Sequence, residues 1–295
     1  MNEILRDAGL SQLHAGEPPR VLAEGFVFTE GPLWNPDGSV LFQDLKAQRT
    51  YRLAPSGTVE LLREQTQGAN GQTFAHDGRI VFCEQDGRRI SAMNPDGTEV
   101  ETLAETWQGK RLNSPNDLVC RSDGLIYFTD PAYGAPADDK QIDFQGVYFL
   151  DDSKEPTLLI DDFEKPNGLA FSPDERTLYI CDTGRYHVRA FDVEPSGTLR
   201  SGSGRVFATM APDQPGGPDG MKVDQEGRVY VAVAQGVWVF APSGALLGIV
   251  ALPKRPANLA WRGRDSGTLT LTVVDQIYQV QLNVKGILPP FTPSA

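Results

Sequence analysis

The segment that decides the fold is KPNGLAFSPDERTLYICD, residues 165–182. A polar residue, Asn167, precedes a short alternating apolar run, a turn-forming stretch at Pro173–Arg176 and a second apolar run ending at Asp182. Alternation with period two on both sides of a tight turn is the signature of two antiparallel strands joined as a hairpin. The pattern recurs in FTEGPLWNPDGSVLFQD (28–44), GANGQTFAHDGRIVFCE (68–84), SPNDLVCRSDGLIYFTD (114–130), GPDGMKVDQEGRVYVAV (217–233) and RPANLAWRGRDSGTLTLTV (255–273). The polar residues of the six segments are Glu30, Asn70, Asn116, Asn167, Asp219 and Asn258, spaced 39 to 52 residues apart.

Working outward, a turn Gly lies eight residues after the polar residue in four segments: Gly38, Gly78, Gly124 and Gly227. Asp174-Glu175-Arg176 stands there in the fourth segment, and the sixth reaches Gly267 one residue late. Gly57, Gly97, Gly197 and Gly244 mark a second family of turns. These imply further strands at Gln48–Leu53, Gly146–Leu150, Val188–Val193 and Gly236–Phe240, because Gly supplies positive φ between apolar runs. Four strands per unit at this period predict an all-β, six-bladed β-propeller with four-stranded blades around a central channel. A strand at Arg20–Ala23 is expected to close the ring against Ile277–Leu282, since an open ring leaves a bare sheet edge. Residues 1–19 then form an N-terminal extension with a short helix over Leu5–Leu13, residues 20–285 the propeller, and residues 286–295 a Pro-rich surface tail.

Composition agrees. Thirty Gly and 22 Pro among 295 residues make a turn-rich chain, while 40% hydrophobic content excludes a disordered or collagen-like one. The net charge of −12, without a basic cluster, argues against nucleic acid or an anionic membrane surface as partner. No apolar run approaches a membrane span, and the charged N-terminus lacks the apolar core of a signal peptide. Three Cys (Cys83, Cys120, Cys181) without paired spacing predict buried thiols in a reducing compartment, hence a cytoplasmic protein.

In a propeller the innermost strands line the channel, so the six polar residues fall at one height around its axis. All six bear oxygen and none is basic or His. Such a ring suits one hard divalent cation, Ca²⁺ first, with Mg²⁺, Mn²⁺ and Zn²⁺ as alternatives; Mg²⁺ asks for a tighter octahedron and Zn²⁺ normally recruits His or Cys. His14, His76 and His187 share no register position.

The chain resembles the SMP-30/gluconolactonase family, which includes regucalcin-type and bacterial lactonases. The resemblance runs from about Gly25 to Leu282. It is carried in order by Glu30-Gly31-Pro32, the SPNDL ending at Leu118, KPNGLAFSPD, and Pro218–Met221. It implies a six-bladed propeller with one catalytic divalent ion, Glu30, Asn167 and Asp219 as metal ligands, and Asn116 as a further residue that contacts the metal directly or through water and faces the substrate. Regucalcin-type members carry Arg two residues before the Asn of the third blade; here that position is Ser114, and Arg111 of the same loop is the candidate substitute.

The expected activity is metal-dependent opening of a sugar lactone, a small-molecule substrate, by an attacking water. Asp219 is the first candidate base and Asp117 the second. Asn70, Asn258 and Asp182 are candidates for hydrogen bonds to sugar hydroxyls, and Tyr133 for a cover over the pocket. Two alternatives use the same architecture: hydrolysis of phosphotriesters or fluorophosphates on the same Ca²⁺ site, and a non-enzymatic Ca²⁺-binding propeller that only binds a ligand. Oligomeric state leaves no mark in the sequence.

Overall fold

The structure, a computed structural model, describes residues 4–210, 216–263 and 266–293. It is a six-bladed propeller. Six antiparallel sheets follow one another along the chain, with inner strands Thr29–Trp34, Ala69–Phe74, Leu118–Cys120, Pro166–Phe171, Met221–Val223 and Asn258–Arg262. The inner strands neighbour one another in cyclic order, the sixth returning to the first, which closes the channel.

The turn chemistry appears where the repeats place it. Gly38, Gly78, Gly124 and Gly227 take φ between 80° and 95°, and Gly57, Gly97, Gly197 and Gly244 between 85° and 92°. In the fourth blade Glu175 occupies the same position in the same left-handed region, at φ 55°. Third strands lie at Arg49–Leu53, Gln145–Leu150, His187–Asp192 and Gly236–Phe240, within a residue of expectation. Ring closure is also as expected: Arg20–Glu24 pairs antiparallel with Gln276–Gln281, Arg20 opposite Gln279, as the outermost strand of the sixth blade.

One terminal expectation is corrected. No helix covers Leu5–Leu13. Ile4–Asp7 is a strand that pairs with Leu246–Ala251 and makes the fifth blade five-stranded, followed by a single 3₁₀ turn at Leu10–Gln12. Gly9 at φ 124° cannot continue a helix, and the Asp7 carboxylate takes the amides of Gly9 and Ser11 instead. The Pro-rich tail runs along the surface and is anchored to the blades. Gly286 packs under the Trp261 ring, the Gly286 amide bonds the Ser266 carbonyl at 3.1 Å, and Phe291 meets His76 edge-on at 6.0 Å. Ile287–Pro290 cross the end of the channel away from the polar ring and bound a cavity of about 120 Å³ lined by Trp34, Phe171, Lys222 and Trp261.

The core sits between blades. Tyr230, Val239, Leu259 and Trp261 fill the seam of blades five and six, and Cys83, Leu118, Phe128 and Tyr148 that of blades two and three. Each such side chain contributes about 1.5–3 kcal/mol through burial. All three cysteines are free and buried inside strands, and burial raises each thiol above its ordinary pKa. Among the described residues, no helix is long and apolar enough to cross a membrane.

Candidate active site

The polar ring lies where the inner strands begin. Glu30, Asn70, Asn116, Asn167, Asp219 and Asn258 are all buried, between 2% and 6% exposed. Their placement rests on a clasp repeated at the end of a blade's second strand. Asp44 accepts the amides of Val27 and Phe28, Asp130 those of Asn113 and Ser114, and Asp182 those of Glu164 and Lys165. Each clasp therefore grips the chain two and three residues before Glu30, Asn116 and Asn167, and fixes how the inner strand enters the channel. Burial lifts the Asp130 pKa to about 7 against the pull of its two amides.

Close approach of the inner strands comes from glycine. Gly31, Gly71, Gly168 and Gly220 directly follow polar residues. A Cβ on Gly71 would lie 2.7 Å from the Asp117 Cα, one on Gly168 2.6 Å from the Gly220 Cα, and one on Gly220 2.8 Å from the Asn258 Cα. The Gly71 amide bonds the Asn116 carbonyl at 3.0 Å, and the Gly168 amide bonds the Asp219 carbonyl at 3.2 Å. Neighbouring blades are thus hydrogen-bonded at the level of the site.

Blade three carries Asp117 where four blades have Gly. Its Oδ1 accepts the Leu118 amide at 2.9 Å, and its Oδ2 accepts Asn258 Nδ2 at 3.2 Å. Blades three and six face each other across the ring, so this bond spans the channel and closes it at that height. Glu30 accepts the Gly31 amide at 3.1 Å. Burial, reinforced by the charges of Asp219 and Asp117, pushes the Glu30 carboxyl well above its usual range. Burial raises the Asp219 pKa to about 6, with Arg255 opposing the rise through an Nη2–Oδ2 contact of 2.7 Å. Asp117 is raised by burial, and Lys222 opposes that shift. The Lys222 ammonium is itself lowered by burial and steadied by Asp117 and Glu30, while its Nζ donates to the Met221 carbonyl at 2.9 Å.

Asn167 commits its amide NH₂ to the hydroxyls of Thr183 (3.2 Å) and Tyr133 (3.5 Å), so the carbonyl oxygen is the atom it could offer to a ligand. Thr183 is oriented in turn by donating to the Pro218 carbonyl at 2.6 Å. Tyr133 is 42% exposed and stands over Asn167.

Two site expectations are corrected. Asp182 is fully buried, and its two oxygens are taken by the amides of Glu164, Lys165 and Gly184 and by Arg185, so it clasps the loop and has no capacity left for a sugar. Arg111 does not enter the channel. Its exposed guanidinium donates to the Gly87 carbonyl at 3.3 Å and lies 3.6 Å from Asp139. Ser114 is likewise closed, donating to the Gln85 carbonyl and accepting the Gly134 amide. The three histidines take no part in the ring: His14 accepts the Gly16 amide, His76 packs on Phe291, and His187 lies 4.0 Å from Asp182. Sequence reasoning missed Arg255, Lys222 and Thr183. Arg255 and Lys222 each lie three residues from a ring residue, a spacing that was available to read.

The donor set fits a hard divalent cation. Among the described residues no group of three His, Cys, Asp or Glu side chains converges closely enough to hold an ion alone, so a shell here draws on amide oxygens as well. In such a shell Glu30 and Asp219 would supply charge, and Asn116 and Asn167 neutral oxygens. Burial raises both carboxyls, and the charges of Asp219 and Asp117 add to the rise at Glu30, a strain that a bound cation would relieve.

Known proteins agree with this architecture. A family model described as "SMP-30/Gluconolactonase/LRE-like region" matches residues 28–275. A gluconolactonase of Zymomonas mobilis is 30% identical, over 93% of this chain and 84% of its own length. A pentonolactonase of Haloferax volcanii is 26% identical, over 82% of this chain and 80% of its own length. A solved gluconolactonase from Xanthomonas campestris superposes with a TM-score of 0.86 at 32% identity, covering 95% of this chain and 94% of its own. With the fold closed in six blades and the polar ring in place, this chain belongs to the SMP-30/gluconolactonase/LRE-like family.

Proposed function

We propose that this chain hydrolyses sugar lactones at the mouth of its channel, with a divalent cation of the Ca²⁺ type held by Glu30, Asn116, Asn167 and Asp219. The observation that carries the reading is the ring itself. Three buried carboxylates, Glu30, Asp117 and Asp219, raise one another or are raised by burial, among amides that supply only neutral oxygens. The relatives described as gluconolactonase and pentonolactonase support the substrate class. When bound, such a cation polarises an ester carbonyl and acidifies water.

The chain's own residues supply positioning and proton transfer. Asp219 is the base: it stands at the mouth, its Oδ2 held by Arg255 Nη2 at 2.7 Å, placed to accept a proton from an attacking water. Asp117 lies deeper with donors on both oxygens, and its role is to hold Asn258 across the channel. Asn70 is left to meet substrate hydroxyls, while Thr183 fixes Asn167 and Tyr133 excludes water from above.

A pH-stat assay with glucono-1,5-lactone tests this. The cation-loaded protein is expected to hydrolyse it well above the uncatalysed rate, and EDTA to return the rate to background until Ca²⁺ or Mn²⁺ is restored. Full activity in EDTA contradicts the cation role. Turnover of a phosphotriester but of no lactone favours the other hydrolase. A melting temperature raised by Ca²⁺, without turnover of any ester, favours a binding module.

A further inference from the structure

We propose that the substrate is a lactone bearing an anionic group remote from the ester, selected by Arg255 and Lys254; this rests on the lactone-hydrolase reading above. Arg255 lies three residues before Asn258, the start of the sixth inner strand, and gives Nη2 to Asp219 Oδ2 at 2.7 Å. Among the described residues Asp219 is the one carboxylate it pairs with, and its side chain remains 41% exposed. The same residue lines an open groove of about 650 Å³ between blades five and six, together with Pro18, Leu252, Lys254 and Tyr278. Arg255 is therefore shared by the reacting centre and the groove. A substrate whose ester lies beside Asp219 has the groove within one side chain's length.

The chemistry of the groove names its occupant. Lys254 adds a second cation, 42% exposed and 2.6 Å from Asp275. A neutral sugar gains little from two cations at the rim. A carboxylate, phosphate or sulfonate gains charge-assisted hydrogen bonds, and the planar guanidinium can donate to two of its oxygens side by side. At the ring an anion would face the buried carboxyls Glu30, Asp117 and Asp219, and in the groove the Asp275 carboxylate that Lys254 pairs. The protein's net charge of −12 does not cancel the effect, because charges beyond about 8 Å are largely screened at physiological ionic strength. Pro18, Leu252 and the Tyr278 ring offer apolar surface to the carbon skeleton between ester and acid. The groove's volume also falls within the roughly 300–1,000 Å³ of small-molecule sites.

Initial rates decide it, measured on the cation-loaded full chain with three lactones: neutral glucono-1,5-lactone, 6-phosphoglucono-1,5-lactone and glucaro-1,4-lactone. The wild-type protein is expected to favour one acidic lactone over the neutral one at least tenfold in kcat/KM, and which one it favours separates phosphate from carboxylate. Arg255→Gln should lower that preference tenfold or more, and Lys254→Gln severalfold, both mainly through KM. The preference is a ratio within one variant, so any loss that both substrates share through the Asp219 contact cancels. A wild-type preference for the neutral lactone, or a ratio unmoved by Arg255→Gln, overturns the proposal while the hydrolase reading stands. If no lactone is turned over with cation present, the hydrolase reading falls and this specificity with it.

Discussion

Glu30→Gln is expected to abolish lactone hydrolysis and, in the same protein freed of cations, to raise the melting temperature. The opposite signs follow from the environment of Glu30. It is 4% exposed, and burial together with the charges of Asp219 and Asp117 disfavours its ionised form. The amide isostere keeps the volume and removes the charge. Activity should fall at least about 10²–10³-fold, the scale for losing one preorganised electrostatic contact at a reacting centre. Stability of the cation-free protein at pH 8 should rise by about 1–3 kcal/mol, the penalty of a buried polar group without an adequate partner.

The pH dependence has a defined sign. A carboxyl whose folded pKa is raised contributes stability that is present at low pH and lost as pH rises. For Asp219 the loss runs from the usual 3.8 to about 6. For Glu30 it begins at 4.5 and continues upward. Thermal melts of wild-type and Glu30→Gln protein in EDTA should therefore coincide below about pH 4.5 and diverge above it, with the variant the more stable. Saturating Ca²⁺ should raise the wild-type melting temperature and leave the variant's nearly unmoved. A variant that melts lower than wild type in EDTA at pH 8 contradicts this electrostatic account.

Gly168→Ala should be among the most disruptive single methyls at the site. Its Cβ would sit 2.6 Å from the Gly220 Cα and overlap the Asp219 carbonyl oxygen, both backbone atoms of the next blade. Neither can rotate away as a side-chain tip can, so the seam between blades four and five must open. Overpacking of this kind costs typically 1–3 kcal/mol and occasionally more, and we expect about 3 kcal/mol or more in urea unfolding. Activity should fall further than stability suggests, since the same seam sets the separation of Asn167 from Asp219. Gly57→Ala is the control. Gly57 adopts φ 89° with nothing near its missing Cβ, so only the local backbone penalty of about 1 kcal/mol applies. Comparable costs at the two positions would show that the seam is not rigid.

Much of the fold was legible because a closed ring repeats its own grammar. Once Gly38, Gly78, Gly124 and Gly227 set a common offset, the six polar residues followed, and all six are buried at the channel mouth. Glu175 shows the limit of reading Gly alone: the turn geometry is preserved at φ 55° without the residue that signals it. What escaped was set by contacts between blades. Asp182 looked like a free carboxylate beside the ring, but the amides it holds lie 17 and 18 residues earlier in the chain. Asp117 bonds Asn258 from 141 residues away, and Arg255 reaches Asp219 across 36. Periodicity places a residue at a height in the channel but does not say which neighbour its side chain meets. At the termini, Ile4–Asp7 and Ile287–Pro290 are held by blades five and six and by the channel end, not by any pattern of their own.

The central claim is that the ring gathers Glu30, Asn116, Asn167 and Asp219 around one cation. A crystal soaked in Mn²⁺ and measured at the manganese absorption edge tests it directly. The account predicts a single strong anomalous peak in the channel, about 2.0–2.6 Å from oxygen atoms of those four side chains. No peak there at saturating Mn²⁺, with Arg255 still paired to Asp219, would contradict it.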